Sequence, residues 1–288
     1  MLEFRSEEVS KHVTRIYGFS TELMYLVEGE KKDILIDTGS GFGSLYLAVE
    51  DIRRKHKGLG KPLEVLITHG HLDHAMGAQE FLNAGCPVYL NHEDRCVFEK
   101  HAKDSFRMEG ISMLQADGLG IFVAEEDYIK SPSFDDFLDL KEGEKFDLGD
   151  VTIETFACTG HTKGCLTFLI QEHDGKNYLL TGDACNTFTF LFDEYTTSVE
   201  EYEKHVKSLI KKVNGRYDEV LLSHGNGVGY LGLMEDVVAV CEDIQNGKTA
   251  DIPYEFMGTQ GLIAKDFDFS DFANAKGNIV YDKNRIRI

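Results

Sequence analysis

The chain has 288 residues, 42% of them hydrophobic, and 50 acidic side chains against 30 basic ones give a formal charge of −20 at pH 7. That length and apolar content suit a folded globular protein with a sizeable core and exclude a disordered or fibrous one. A polyanion is repelled wherever no basic patch overrides such a field, so nucleic acid and anionic membrane surfaces are set aside as partners. The 6 cysteines (Cys86, Cys96, Cys158, Cys165, Cys185, Cys241) include no C-x-x-C pair, which argues against a disulfide framework or a structural zinc knuckle. The segment after Met1 has no apolar run of signal-peptide length, and no later stretch is long enough to span a bilayer. The expectation is a soluble, cytoplasmic protein with reduced thiols and a small-molecule substrate; oligomeric state leaves no mark in the sequence.

In chain order, Val13–Phe19, Met24–Glu28 and Asp33–Asp37 read as a strand meander, and Leu45, Val49 and Ile52 recur at helical spacing before Gly58. Leu63–Thr68 is almost wholly apolar, as in a strand buried on both faces. Ala75–Asn83 reads as one helix stopped by Gly85 and Pro87, and Val88–Asn91 as a short strand. From about 93 to 140 the pattern loosens into helical pieces rich in Phe and acidic residues, an insertion or lid. Regular strands resume with Lys145–Leu148, Val151–Ala157, Cys165–Gln171 and Asn177–Thr181. Val199–Val213 is an amphipathic helix, Glu219–Ser223 a buried strand and Leu231–Ile244 a last long helix. A C-terminal extension from about 250 carries short strands near Gly261–Lys265 and Ile279–Tyr281. The whole reads as a single α/β domain.

The chemistry concentrates at Thr68-His69-Gly70-His71-Leu72-Asp73-His74, directly after the buried strand. Histidines two apart on an extended segment leave on the same side, so His69 and His71 can reach one ion together. Asp73 and His74 follow where the chain turns into a helix and can face a second ion. Three more donors stand at strand ends beside glycine: His161 in Thr-Gly-His-Thr, Asp183 in Thr-Gly-Asp and His224 in Ser-His-Gly.

With this H-x-H-x-D-H run and the G-H-T, T-G-D and S-H-G pieces in that order, the sequence resembles the metallo-β-lactamase superfamily from the first meander through the strand at Val220. The resemblance implies a four-layer αββα sandwich of two mixed sheets with helices outside. It places His69, His71 and His161 on one metal, Asp73, His74 and His224 on the other, and Asp183 between them. Asp37, in the matching D-T-G element, is implied to hold a ligand rather than an ion, with a turn-forming Asp as the alternative. The donor set suits two divalent transition-metal ions, zinc first, then iron or manganese. A hydroxide bridging the two metals is the expected nucleophile, with Asp73 orienting water or moving a proton. Cys158 and Cys185 lie near donors but read better as buried small hydrophobes. Lys163 is a candidate for a substrate carboxylate, and Phe188, Phe190 and Phe192 for an apolar substrate surface, with a solvated lysine and ordinary core packing as the bland alternatives.

The expected activity is hydrolysis of a small ester, thioester or lactone. The superfamily's class B1 β-lactamases carry Cys where this chain has Asp183, which disfavours β-lactams. The alternatives are a small-molecule phosphodiesterase, a persulfide dioxygenase-like oxidoreductase with a single iron, and a binding module without turnover.

Overall fold

In the computed structural model, which describes residues 3–19, 21–56, 58–116, 123–268, 271 and 275–287, the chain divides into two compact units. These are Met1–Ile153 with Glu172–Asp174, and Glu154–Gln171 with Gly175–Ile288. The first unit begins with an antiparallel meander of β1 (Arg5–Glu8), β2 (Val13–Tyr17), β3 (Leu23–Glu28) and β4 (Asp33–Ile36). Every residue of β3 and β4 is buried. Helix α1 (Leu45–Lys55) starts where the Ser44 side chain accepts from the Leu47 N–H, ends on Arg53, Arg54 and Lys55, and buries Leu45, Val49 and Ile52.

β5 (Leu63–Leu66) then pairs parallel with β4, and β6 (Val88–Leu90) with β5. Between them lie α2 (Leu72–Ala75) and α3 (Ala78–Asn83). The single helix expected over Ala75–Asn83 is therefore two short ones. The His74 carbonyl accepts from both the N–H (2.7 Å) and Oγ1 (3.0 Å) of Thr38, and the Met76 and Gly77 N–H groups donate to Gly39 O. Backbone groups that would continue the helix are thus bonded to the loop after β4. Gly77 permits the approach, because a Cβ there would stand 2.2 Å from Thr38 O.

α4 (Arg95–His101) and α5 (Asp104–Ala116) lead to β7 (Leu138–Asp139), which pairs parallel with β6 and completes a seven-stranded sheet in the order β1 to β7. The 93–140 segment is thus the connection between two neighbouring strands. One core joins Leu35, Val65 and Ile67 of the sheet side to Val49, Phe81 and Phe98 of the helices. β8 (Lys145–Asp147) follows, and its turn closes with Leu148 N–H on Val151 O.

β9 (Val151–Ala157), whose first three residues belong to the first unit, β10 (Leu166–Glu172), whose last residue does, and β11 (Asn177–Leu180) run as neighbours. β12 (Thr189–Leu191) leaves for a smaller sheet, α6 (Val199–Val213) follows, and β13 (Glu219–Leu221) returns parallel to β11. Ser198 caps α6 by accepting from Glu201 N–H, with Glu200 and Glu201 in its first turn and Lys211 and Lys212 in its last. Val199, Tyr202, Val206, Leu209 and Val213 form its buried face against α7 (Leu233–Gln245), in one core with Leu169, Leu179 and Val220. The tail forms β14 (Ile252–Phe256), β15 (Thr259–Ile263) and β16 (Ile279–Tyr281), with sheet order β12-β16-β15-β14. Among the described residues no helix is long and apolar enough to cross a membrane.

Candidate metal centre

The first unit carries four donors, His69 and His71 in the turn after β5 and Asp73 and His74 in α2. His69 and His74 are fully buried, His71 nearly so, and Asp73 is half-buried. What orients them is Asp37, a buried residue at the end of β4 with φ +64°, a backbone region that few non-glycine residues occupy. Its carboxylate accepts from Thr68 N–H (2.7 Å), from Thr68 Oγ1 (2.9 Å to Oδ2) and from His74 Nδ1 (2.8 Å). Asp37 thus contacts His74, one of the residues expected from the sequence to bind an ion.

These bonds assign the ring protons. A carboxylate only accepts, so His74 carries its proton on Nδ1, and its Nε2 lone pair stands 3.5 Å from Asp73 Oδ2. Thr68 Oγ1 donates to Asp37 and so accepts from His69 Nδ1 (3.0 Å), which turns the His69 Nε2 lone pair toward His71 Nδ1, 3.0 Å away. Two nitrogens bound to one tetrahedral ion at about 2.0–2.1 Å stand roughly 3.3 Å apart, close to that separation.

The second unit contributes three donors. His161 Nδ1 donates to Phe190 O (2.9 Å), leaving the Nε2 lone pair to face Asp183 Oδ2 at 3.7 Å; His224 Nε2 lies 3.1 Å from the same oxygen. One carboxylate oxygen thus stands between two imidazoles. Below them lies Tyr202 of α6, wholly buried, whose hydroxyl donates to Ala184 O (2.7 Å) and whose ring fills the space where a Cβ on Gly160 would stand 2.1 Å from Cδ2. One side chain sets the backbone beside both His161 and Asp183.

At His74–Asp73 and again at His161–Asp183 an imidazole Nε2 faces a carboxylate oxygen at 3.5 and 3.7 Å, an arrangement that a shared cation stabilises. A divalent metal ion satisfies several such pairs at once, so the residues fit the ions their composition implies. The donors are imidazoles and carboxylates, four in the first unit (His69, His71, Asp73 and His74) and three in the second (His161, Asp183 and His224), a set of the kind that binds divalent transition-metal ions. Burial pushes the Cys158 thiol well above its ordinary range and that of Cys185 up to about 12, so both stay protonated members of the core.

Lys163 is exposed, two residues beyond His161. Phe188 and Phe190 are half-buried and Phe192 buried, and their rings meet one another and Tyr254 at centroid distances of 5.1–6.1 Å. Sequence reasoning missed four supporting residues. Glu22 accepts from Ser40 N–H (3.2 Å) and Oγ (2.9 Å), while Arg107 of α5, fully buried, donates to Ser40 O (2.9 Å) and Gly41 O (3.1 Å). The loop after Asp37 is thereby held between a buried anion and a buried cation. Asp94 and His101, at the two ends of α4, bond the donor turn itself. Their signal was available: positions 94, 97, 98 and 101 share one helical face, and the two outer ones are polar.

Comparison with known proteins gives the family. The model of the Metallo-beta-lactamase superfamily matches residues 17–224, and the chain belongs to that superfamily. Its architecture is accordingly the α/β sandwich expected from the sequence, mixed sheets flanked by helices. An uncharacterized protein of Mycobacterium leprae is 34% identical over 123 residues, 42% of this chain; the match spans 50% of that relative's length. Human acyl-coenzyme A thioesterase MBLAC2 is 25% identical over 225 residues, covering 72% of this chain and 74% of its own. Hydroxyacylglutathione hydrolase GloC of Haemophilus influenzae is 25% identical over 216 residues, covering 74% and 88%. Among solved structures, a metallo-beta-lactamase from Pontibacter korlensis superposes with a TM-score of 0.58 at 17% identity, over 82% of this chain and 98% of that one.

Proposed function

We propose that the chain hydrolyses small thioesters at a dinuclear centre. In this reading His69, His71 and His161 hold one ion, Asp73, His74 and His224 hold the other, and the Asp183 carboxylate is shared; zinc is preferred over iron or manganese. The observation that carries it is the position of Asp183 Oδ2 between two imidazole nitrogens at 3.1 and 3.7 Å, the farther of which has its proton committed to Phe190 O. Ions bound there would supply water activated at neutral pH and a Lewis acid for the acyl carbonyl.

The chain's own residues supply orientation and proton handling. Asp37 and Phe190 O accept from Nδ1 of His74 and His161, which turns Nε2 of each ring toward a carboxylate and makes it the nitrogen that would bind an ion. Asp73 is more exposed than His69, His71 and His74 beside it and is the carboxylate placed to orient water or accept its proton. Thioesters are favoured over esters and lactones on two grounds. A thiol leaves readily as its anion, having a pKa of about 8.5, so the site needs no strong general acid. The names of two relatives, acyl-coenzyme A thioesterase and hydroxyacylglutathione hydrolase, both describe acyl groups on a thiol carrier. Lys163 would meet a charged group of that carrier, and the Phe188, Phe190 and Phe192 surface its acyl chain.

The test is a hydrolysis screen of the metal-loaded chain over acyl-coenzyme A, acyl-glutathione, lactones, phosphodiesters and β-lactams, with metal content measured on the same sample. Two metal ions per chain and a kcat/KM for a thioester at least tenfold above every other class are expected. A single iron with oxygen uptake on a persulfide, or a phosphodiester turned over faster than any thioester, would overturn it.

A further inference from the structure

We infer that α4 is a positioning clamp for the donor turn, with Asp94 and His101 as its two jaws. Asp94 stands at the N-terminal end of the helix, is 1% exposed and makes no capping bond to α4. Its Oδ2 instead accepts from the Gly70 N–H at 2.8 Å. His101 closes the last turn of the same helix, and its Nδ1 accepts from the Leu72 N–H at 3.1 Å. Gly70 and Leu72 are the residues that separate His69, His71 and Asp73, so one seven-residue helix fixes the turn on both sides of His71.

Two further features fit this role. The His71 side chain makes no capping bond to α2, and the Leu72 N–H, the first of that helix, is met by His101 instead. Gly70 lies flush against α4, because a Cβ there would stand 3.0 Å from Val97 Cγ1 and 3.2 Å from Asp94 O. Since His101 Nδ1 accepts, that nitrogen carries no proton, and the neutral ring stacks on His71 with centroids 4.6 Å apart and planes 14° from parallel. Helix α4 begins and ends with acceptors at the separation of the two amides, so the first-unit donors are held in place before any ion arrives. Asp94 and His101 act through the turn and are positioning residues.

The inference rests on the dinuclear reading only for the identity of the ions, and its test does not depend on hydrolysis. Amide exchange at Gly70 and Leu72 is measured on metal-free full-length protein, and zinc affinity by competition with a chromophoric chelator. Asp94→Ala and His101→Phe are expected to accelerate exchange at Gly70 and Leu72 respectively by at least tenfold and to weaken zinc binding by about 10- to 100-fold. Asp94→Asn and His101→Asn keep an acceptor at the bonding position and are expected to stay within threefold of the parent in both measurements. Folded alanine and phenylalanine variants with parental exchange and affinity would overturn the clamp. Should Asp94→Ala fail to fold, the His101 pair decides: equal losses in Phe and Asn variants overturn the acceptor role. A chain that takes up no zinc refutes the metal reading, while exchange in the metal-free protein still settles the clamp.

Discussion

In the first unit four donors arrive within six residues, and polar groups hold them: the Asp37 carboxylate, the Thr68 hydroxyl, and the acceptors at the ends of α4. In the second unit three donors arrive from three separate loops, and what lies beneath them is hydrocarbon. Tyr202 sits among Cys158, Cys185 and Val206 and reaches the donor loops through one ring and one hydroxyl. Hydrogen bonds fix angles, whereas close packing fixes positions. The first half is therefore vulnerable to isosteric changes that move a proton, and the second to changes of volume.

The largest effect is expected where the two imidazoles of the second unit share a donor. Asp183→Ala should reduce metal retained after dialysis, and hydrolysis with it, by more than about a hundredfold, beyond the range for residues that only orient a ligand. Asp37→Asn, an isosteric change in the first unit, should cost about 10- to 100-fold in metal affinity, because the amide can offer His74 Nδ1 a second donor in place of an acceptor. An equal or larger loss in Asp37→Asn than in Asp183→Ala would remove the distinction between ligand and orienting group.

Tyr202→Phe comes next. It strips the donor from Ala184 O inside the core and should lower unfolding free energy by about 1–3 kcal/mol in urea titrations, with metal affinity falling through His161 and Asp183. Undiminished stability would mean that packing alone places those loops.

The smallest effect concerns pH and the first unit. Hydrogen bonding to Glu28 (2.6 Å), helped by the charge of Glu8, raises the His56 pKa above its ordinary value at the C-terminal end of α1. A raised folded-state value contributes stability that is complete below the unfolded pKa of about 6.5 and is lost as pH rises through the folded value. Because His56 is one-third exposed, the contribution should be no more than about 0.5 kcal/mol. His56→Gln should flatten that part of the stability profile, and an unchanged profile would show that the pair contributes nothing.

The same contrast explains what the sequence disclosed. The first-unit donors form a dense local word, and α6 is bounded by a cap and a charge gradient, so both were readable; the helix runs over Val199–Val213 as expected. The second-unit donors could be found only because each stands beside glycine at a strand end, and the resemblance gave them their order. Weak local signals hid the rest. β1 is exposed at every position and carries no alternation, and β7 has only two residues. β14 contains Pro253 and sits at a sheet edge, where a missing N–H does no harm. The place of His101 was hidden because its partner, the Leu72 N–H, is a backbone group that no side-chain pattern can reveal.

The break between α2 and α3 bears on how such a site could be transplanted. Its backbone bonds run to Thr38 and Gly39, so the donor turn takes its shape from a loop more than thirty residues upstream as well as from the helix behind it. Grafted into a foreign scaffold, Thr68–His74 alone would carry the right letters without the hydrogen bonds that orient the candidate donors. The smallest portable module extends from Glu22 through Arg107, the two buried side chains that hold the loop after Asp37, and any engineered copy has to reproduce that span.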